Sequence, residues 1–251
     1  MSVLEIRQLC KRFLGIEALR DVSFSVGERE IVGLIGPNGS GKSTLFNCIT
    51  GVYQADNGAV FFNSREITAA KSYQIALAGL SRSFQMVQVY PKLTVRDNVL
   101  VALQEHQERS TLGRLIRSTK VRNADRMANS RAEEVLTTLN LLSLANTAVG
   151  VLSYGQRKLV EFAAILMPDP KLVLLDEPAA AINPTMINRM KTHIVDLRKM
   201  GKAVLMVEHN MDLIMDICDR IVVLDHGQKI AEGTPAAIKS NPQVVEAYFG
   251  Q

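Results

Sequence analysis

A lysine and a serine stand together at Lys42-Ser43 behind three glycines, and two carboxylates stand together at Asp176-Glu177. These residue types suit phosphate chemistry. The stretch Gly36-Pro37-Asn38-Gly39-Ser40-Gly41-Lys42-Ser43-Thr44 fits G-x-x-x-x-G-K-[ST] residue for residue. Gly36, Gly39 and Gly41 let the backbone curl close to an anion, so that several N–H groups and the start of the next helix face the same phosphates. Lys42 adds a mobile positive charge near the outer phosphates, and Ser43 offers a hydroxyl to Mg²⁺. The carboxylates follow the apolar run Leu172-Val-Leu-Leu175, at the distance along the chain expected of a companion to such a loop. There Asp176 can hold the metal through water, and Glu177 can polarise the water that attacks the terminal phosphate. A second apolar run, Ala203-Val-Leu-Met-Val207, ends at Glu208-His209-Asn210, and a histidine in that place can reach the same phosphates.

These side chains meet only if the elements before them converge. Ile31-Val-Gly-Leu-Ile35 is a β-prone run that enters the glycines, and an amphipathic helix leaves them, the order the motif requires. Leu172–Leu175 reads as a central parallel strand, apolar because both faces are covered, and Ala203–Val207 as another. Ligands bind beyond the carboxyl ends of such strands. Val3–Arg7, Leu19–Val26 and Ala59–Phe62 also read as strands. Between the first two, Phe13 precedes Gly15, on residue type alone a core or turn position. Ile221–Leu224 and Gln228–Glu232 flank Asp225-His-Gly227 as a hairpin. Ile187, Met190, Ile194 and Leu197 mark a buried helical stripe, and Pro235 and Pro242 each open a short terminal helix.

Residues 84–151 differ in character. Thr94 is placed to cap a helix beginning in Leu93–Leu100. From Glu105 to Arg131 there are seven basic and three acidic residues, with Leu112, Leu115 and Ile116 on one helical face. This reads as a solvated face packed locally rather than as a lipid or nucleic-acid surface. Ala132–Leu139 continues as an amphipathic helix.

With 251 residues, 47% of them apolar, the chain can build one α/β domain, or a catalytic domain with a small insertion, but not two such ATPase units. The loop motif occurs once, so paired nucleotide sites require a second chain. A formal charge of +4 is too small to argue nucleic-acid binding. Cys10, Cys48 and Cys218 are too dispersed for a disulfide framework or a metal site and are expected to be buried, inert thiols in a reducing compartment. His106, His193 and His226 read as structural or exposed. No stretch of about 18 apolar residues occurs, so the chain is expected to be soluble and to reach a membrane only through partners.

Leu152-Ser153-Tyr154-Gly155-Gln156, together with the features above, resembles the ATP-binding cassette ATPases over nearly the whole chain, this stretch matching their signature sequence. Tyr154 stands where the commonest form has glycine; Ser153 and Gly155 are retained. Ser153 can cap the helix bearing Leu159, Phe162, Ala163 and Leu166, leaving its first amides for phosphate. The resemblance implies an α/β fold of the P-loop nucleoside triphosphatase class, with an N-terminal antiparallel β subdomain and an inserted α-helical signature subdomain. It makes residues 1–251 one ATP-binding cassette domain, with 86–166 as the insertion. It further implies ATP with Mg²⁺, and a head-to-tail dimer in which Ser153, Gly155 and Gln156 close over nucleotide held by the opposite Lys42 loop. Phe13 would pack near adenine, Gln85 would meet the metal and couple the site to a membrane partner, Glu177 would be the catalytic carboxylate and His209 the switch histidine. Ala179-Ala-Ala181-Ile-Asn183-Pro184 resembles the inter-subunit loop, with Asn183 where many members carry aspartate and Ala181 where close relatives often carry glycine.

A finer resemblance, to the larger ATPase subunit of bacterial or archaeal branched-chain amino acid importers, rests on Leu80-Ser-Arg-Ser-Phe-Gln85, the basic insertion, the signature, Asp176-Glu-Pro-Ala-Ala180, Glu232-Gly-Thr-Pro235 and Asn241-Pro242. It implies an import motor driven by nucleotide-dependent dimer closure and reopening, peripheral to the cytoplasmic face of the cell membrane. The implied partners are a second ATPase subunit, identical or different, two integral-membrane permeases and, indirectly, a solute-binding protein, with no nucleic acid. The alternatives are the ATPase of another small-solute or lipid transporter and a soluble ATPase acting on DNA or ribosomes. Against the latter, only 66 residues separate Gln85 from Leu152, too few for a long coiled coil, and there is a single cassette.

Overall fold

The computed structural model describes residues 2–83, 87–103 and 119–249, the side chains of 119–122 and 249 excepted. The chain divides into two units, residues 1–85 with 170–251, and residues 86–169. The first unit opens with β1 (Ser2–Phe13) and β2 (Ile16–Gly27), followed by β3 (Ile31–Ile35), α1 (Lys42–Ile49), β4 (Asn57–Phe62), β5 (Arg65–Glu66), α2 (Ser72–Leu77) and β6 (Leu80–Arg82). The second unit contributes α3 (Val95–Val101), α4 (Thr119–Thr138) and α5 (Tyr154–Leu166). The chain then returns with β7 (Leu172–Asp176), α6 (Pro184–Lys199), β8 (Ala203–Val207), α7 (Met211–Ile217), β9 (Arg220–Asp225), β10 (Gln228–Gly233), α8 (Pro235–Lys239) and α9 (Pro242–Phe249).

Two sheets form the first unit, an antiparallel one in the order β2-β1-β4-β5 and a mixed one in the order β10-β9-β3-β8-β7-β6. β1 and β2 are longer than their sequence patterns, because register shifts along the pair break the alternation on which such patterns rest. In the second sheet β3 lies between β8 and β9, parallel to both, and β7 pairs parallel with β8. Every residue of β3, β7 and β8 is buried, as continuous apolar runs in a sheet covered on both faces require. One hydrophobic cluster joins the sheets: Leu4, Ile6 and Val22 from the antiparallel sheet, Leu45, Phe46 and Ile49 from α1, and Leu34, Leu174, Leu205 and Val222 from the mixed sheet. The parallel register brings the carboxyl ends of β3, β7 and β8 to one edge.

The expected helical stripe of α6 is buried at Met190, Ile194 and Leu197 and half-buried at Ile187. Asp225-His226-Gly227 turns β9 into β10, and Pro235 and Pro242 open α8 and α9. Cys48 and Cys218 are buried, and desolvation pushes their thiols up to about 11 and about 12. Cys10 departs from the expected burial: it is half-buried on β1, its Sγ accepting the Asp21 N–H at 3.3 Å. His193 is buried in α6, which lowers its pKa, His226 is exposed, and His106 lies outside the described residues.

In the second unit the Thr94 hydroxyl accepts the Asp97 N–H and caps α3, as its sequence suggests. Buried Asn98 holds the preceding loop, accepting the Tyr90 N–H at 2.6 Å and donating to the Tyr90 and Thr94 carbonyls. Val95 and Val99 of α3, Ala132, Val135 and Leu136 of α4, and Leu159, Val160 and Phe162 of α5 are buried. Leu112, Leu115 and Ile116 lie outside the described residues. Among the described residues no helix is long and apolar enough to cross a membrane.

Candidate active site

β3 delivers the chain into the glycine loop, and two glycines there are dictated by their surroundings. Gly36 and Gly41 adopt φ of 152° and 102°; a Cβ on Gly36 would stand 2.0 Å from the Leu224 carbonyl oxygen, and one on Gly41 2.6 Å from that of Ala18. The loop therefore rests on backbone from β9 and β2. The β9–β10 turn braces it further, since the Gly227 N–H donates to the Ser40 carbonyl at 3.1 Å and the Gly227 carbonyl accepts the Arg20 N–H at 2.8 Å. That turn carries only a connecting role in the sequence pattern. Burial raises the phenol pKa of Tyr248 on α9, and interaction with the Gly36 backbone opposes the rise.

Lys42 bends back over the loop, donating to the Gly36 and Pro37 carbonyls, each at 2.8 Å, and to the Ser40 hydroxyl at 3.4 Å. Burial lowers its pKa, while the carboxylates of Glu177 and Asp176 act to raise it. Lys42 and two carboxylates from more than half the chain away thus share one field. Gly41 at the N-cap of α1 supplies no side-chain acceptor, so the helix start presents its amides at the loop. Ser40 is buried there, whereas Asn38, Gly39 and Ser43 are exposed and Thr44 is half-buried.

At the end of β7, the Asp176 Oδ2 accepts from Arg82 Nη2 at 3.0 Å, and its backbone N–H donates to the Ser83 hydroxyl at 2.9 Å. Arg82 also donates to Asn47 Oδ1 at 2.7 Å and Thr50 Oγ1 at 3.2 Å on α1, and lies 5.4 Å from the Phe46 ring centre. Arg82 and Ser83 enter the sequence reading only within the Leu80–Gln85 motif, with no role at the site. A three-residue strand with a polar majority has no usable period, and only their place just before Gln85 could have drawn attention. Glu177, with φ of 50°, turns back so that its Oε1 stands 3.3 Å from His209 Nε2 at the end of β8. A carboxylate set against an imidazole beside a phosphate loop can take a proton from water while the imidazole holds an oxygen.

Phe13 ends β1 with 38% of its surface exposed and packs edge-on against Tyr53, ring centres 5.1 Å apart and planes at 71°. This is neither the core nor the turn position that its type suggests, but an open aromatic ledge, to which Tyr53 was not legible as a contributor. Gln85 lies outside the described residues.

In the second unit, Ser153 caps α5. Its hydroxyl accepts the Gln156 N–H at 3.3 Å, and Gln156 Oε1 accepts the Ser153 N–H at 2.9 Å. The Gln156 amide is therefore engaged by the cap, which corrects the expectation that the cap leaves all of the first amides open. Tyr154 is partly exposed, its ring centre 5.9 Å from Lys158 Nζ.

A loop with the Lys42 ammonium held over its carbonyls and the uncapped start of α1 beside it suits a phosphate chain. Among the described residues no three His, Cys, Asp or Glu side chains are grouped so as to hold a metal ion by themselves. The hydroxyl of Ser43 and the carboxylate of Asp176 are hard oxygen donors, too few for a dedicated metal cage and fitted to Mg²⁺, which takes one or two protein ligands beside phosphate and water.

The family model described as ABC transporter matches residues 19–180, and that described as branched-chain amino acid ATP-binding cassette transporter matches residues 228–251. The chain is 39% identical over 250 residues to the high-affinity branched-chain amino acid transport ATP-binding protein BraF of Pseudomonas aeruginosa, covering 99% of this chain and 98% of that protein. A nucleotide-free ATP-binding cassette from an ABC transporter has a TM-score of 0.87 at 35% identity, and the ADP conformation of such a cassette has 0.86 at 34%, each with full coverage of both chains. Because the first family model spans well over half of the chain and the likeness to BraF nearly all of it, this protein belongs to the ATP-binding cassette ATPases of ABC transporters.

Proposed function

We propose that this ATPase powers import of branched-chain amino acids from the cytoplasmic face of a membrane. The observation that carries the hydrolytic part is the Glu177–His209 pair, 3.3 Å apart at the ends of adjacent strands, with the Glu177 carboxylate in the field of Lys42. The likeness to BraF and the match at residues 228–251 support the transported class. In this reading Lys42 exchanges the loop carbonyls for the outer phosphates, and the amides of the loop and α1 hold the remaining phosphate oxygens. Glu177 accepts the proton of the attacking water, and His209 orients the terminal phosphate. Phe13 and Tyr53 pack the base. Ser43, Asp176 and Gln85 would hold Mg²⁺, which when bound neutralises phosphate charge. Ser153, Gly155 and Gln156 close over nucleotide on a second ATPase subunit, while two permeases receive the motion and a solute-binding protein stays out of direct contact.

The test is purification of the complex from native membranes and its reconstitution into vesicles with ATP on the side of this subunit. Leucine, isoleucine or valine should accumulate only with hydrolysable ATP. An assembled complex that hydrolyses ATP and moves a different solute would overturn the substrate assignment and leave the ATPase assignment standing.

A further inference from the structure

Glu208 is buried at the end of β8, and each of its carboxylate oxygens is in use. Oε1 accepts the Ala179 N–H at 2.7 Å, and Oε2 accepts the N–H groups of His209 at 2.7 Å and Asn210 at 3.0 Å. A buried carboxylate is costly unless such donors replace water, and three backbone donors on one group fix the backbone carrying them.

The segment that Glu208 grips begins at Glu177. The Glu177 N–H donates to the Val207 carbonyl at 2.9 Å, Pro178 has no N–H, Ala179 donates to Glu208, and Ala180 donates back to the Glu177 carbonyl at 3.1 Å. Every backbone donor from Glu177 to Ala180 is thereby assigned, and two of them end on the consecutive residues Val207 and Glu208. Glu177 holds a left-handed φ of 50°, a conformation that persists in a bulky residue only when its surroundings impose it. Asn210 in turn caps α7 by accepting the Leu213 N–H at 3.0 Å. One side chain thus ties the turn after Glu177, the backbone of His209 and the start of α7.

We propose that Glu208 is a positioning residue for ATP hydrolysis, the strut that sets Glu177 and His209 against one another. The inference rests on the assignment of hydrolysis to that pair. Glu208 itself touches neither water nor phosphate in this scheme. It acts by fixing the backbone on both sides of the pair, and displacements of about 1 Å in such a pair cost on the order of 100-fold in rate.

The experiment is a double-mutant cycle on the full chain, with turnover, ATP affinity and thermal unfolding measured for Glu208→Gln, His209→Ala, their combination and Glu177→Gln. In Glu208→Gln an amide replaces one oxygen and turns N–H toward N–H, so kcat is expected to fall by about 100-fold. ATP affinity should stay within about threefold, because the phosphate loop is untouched. The losses in the double variant should fall well short of multiplying, since with His209 gone the strut no longer has a pair to set against one another. Parental kcat in Glu208→Gln, or fully multiplicative losses in the double variant, would overturn the proposal even with Glu177→Gln inactive. Parental turnover in Glu177→Gln would instead strike the underlying assignment. Should Glu208→Gln fail to fold, Glu208→Asp keeps the charge but shortens its reach by one methylene; a kcat loss of about 10-fold is expected, and full activity overturns the proposal.

Discussion

The Lys42 ammonium is held by two loop carbonyls at 2.8 Å, so it is already aimed at the concavity where phosphate belongs. Lys42→Ala is expected to weaken ATP binding by roughly 10- to 100-fold, the value of one lost charge-assisted contact. Titration calorimetry beside a circular-dichroism spectrum separates this from unfolding, and undiminished affinity in a folded variant removes Lys42 from the site. Glu177→Gln keeps size and one hydrogen bond but lacks the basicity to take a proton, so turnover should drop by about 10² to 10⁴ while ATP still binds. Size-exclusion chromatography with ATP should then show a closed dimer accumulating, and parental steady-state hydrolysis would discard the assignment. Ala181 has φ of 58°, the left-handed region where a glycine would be at ease. Ala181→Gly should stabilise the chain by roughly 0.5–1 kcal/mol in urea unfolding, and a destabilised variant would show that the loop is not strained there. At this scale the chemistry was legible: Lys42, Asp176, Glu177 and His209 announce themselves by type and place. Glu208 did not, because a carboxylate at a strand end reads equally well as solvent-facing until its three N–H partners are seen.

Among elements, continuous apolar strands and capped helices were readable, and the short or polar ones were not. Thr94 and the i, i+3, i+4 spacing of Val95, Asn98 and Val99 specify α3, and Leu172–Leu175 specifies β7, since each pattern is generated by local geometry. β6 has three residues, Leu80-Ser-Arg82, and exists because β7 offers it a parallel edge, a nonlocal cause that no window on the sequence contains. Its Arg82 then fastens α1 to β7 through Asn47, Thr50 and Asp176. Arg82→Met strips the nearly buried Asp176 of this counter-charge and should cost roughly 3 kcal/mol of stability, the lower end for breaking such a pair. Chemical denaturation checks it: a loss below about 0.5 kcal/mol would place the pair among surface bridges of little weight.

On the scale of the whole molecule, pattern and length foretold an α/β chain and the family resemblance an antiparallel sheet at its start, but neither gave the order of strands, which depends on contacts across the full sequence. Val89 is half-buried in the second unit, close in sequence to Gln85. If this segment meets a permease, as the proposed complex requires, Val89→Asp places a charge in that joint and should reduce co-purification with the permease at least 10-fold while basal hydrolysis holds within about twofold. Normal assembly, hydrolysis and melting temperature together would eliminate Val89 as a contact, and joint loss with a lower melting temperature would assign it to local packing.

The position of β3 in the middle of the mixed sheet also sets a timetable for the chain's own making. Its two neighbours begin at Ala203 and Arg220, so 172 residues, from Ile31 to Ala203, must emerge before β3 gains a lateral partner. At ribosomal speeds of about 5–20 residues per second, that interval lasts roughly 10–30 s. Throughout it, Ile31-Val-Gly-Leu-Ile35 is a wholly apolar ribbon with both edges unpaired, the kind of segment that recruits other nascent chains. The strand that feeds the phosphate loop is thus translated early and finished late, and a cell producing this subunit has to keep that ribbon sheltered until its neighbouring strands arrive.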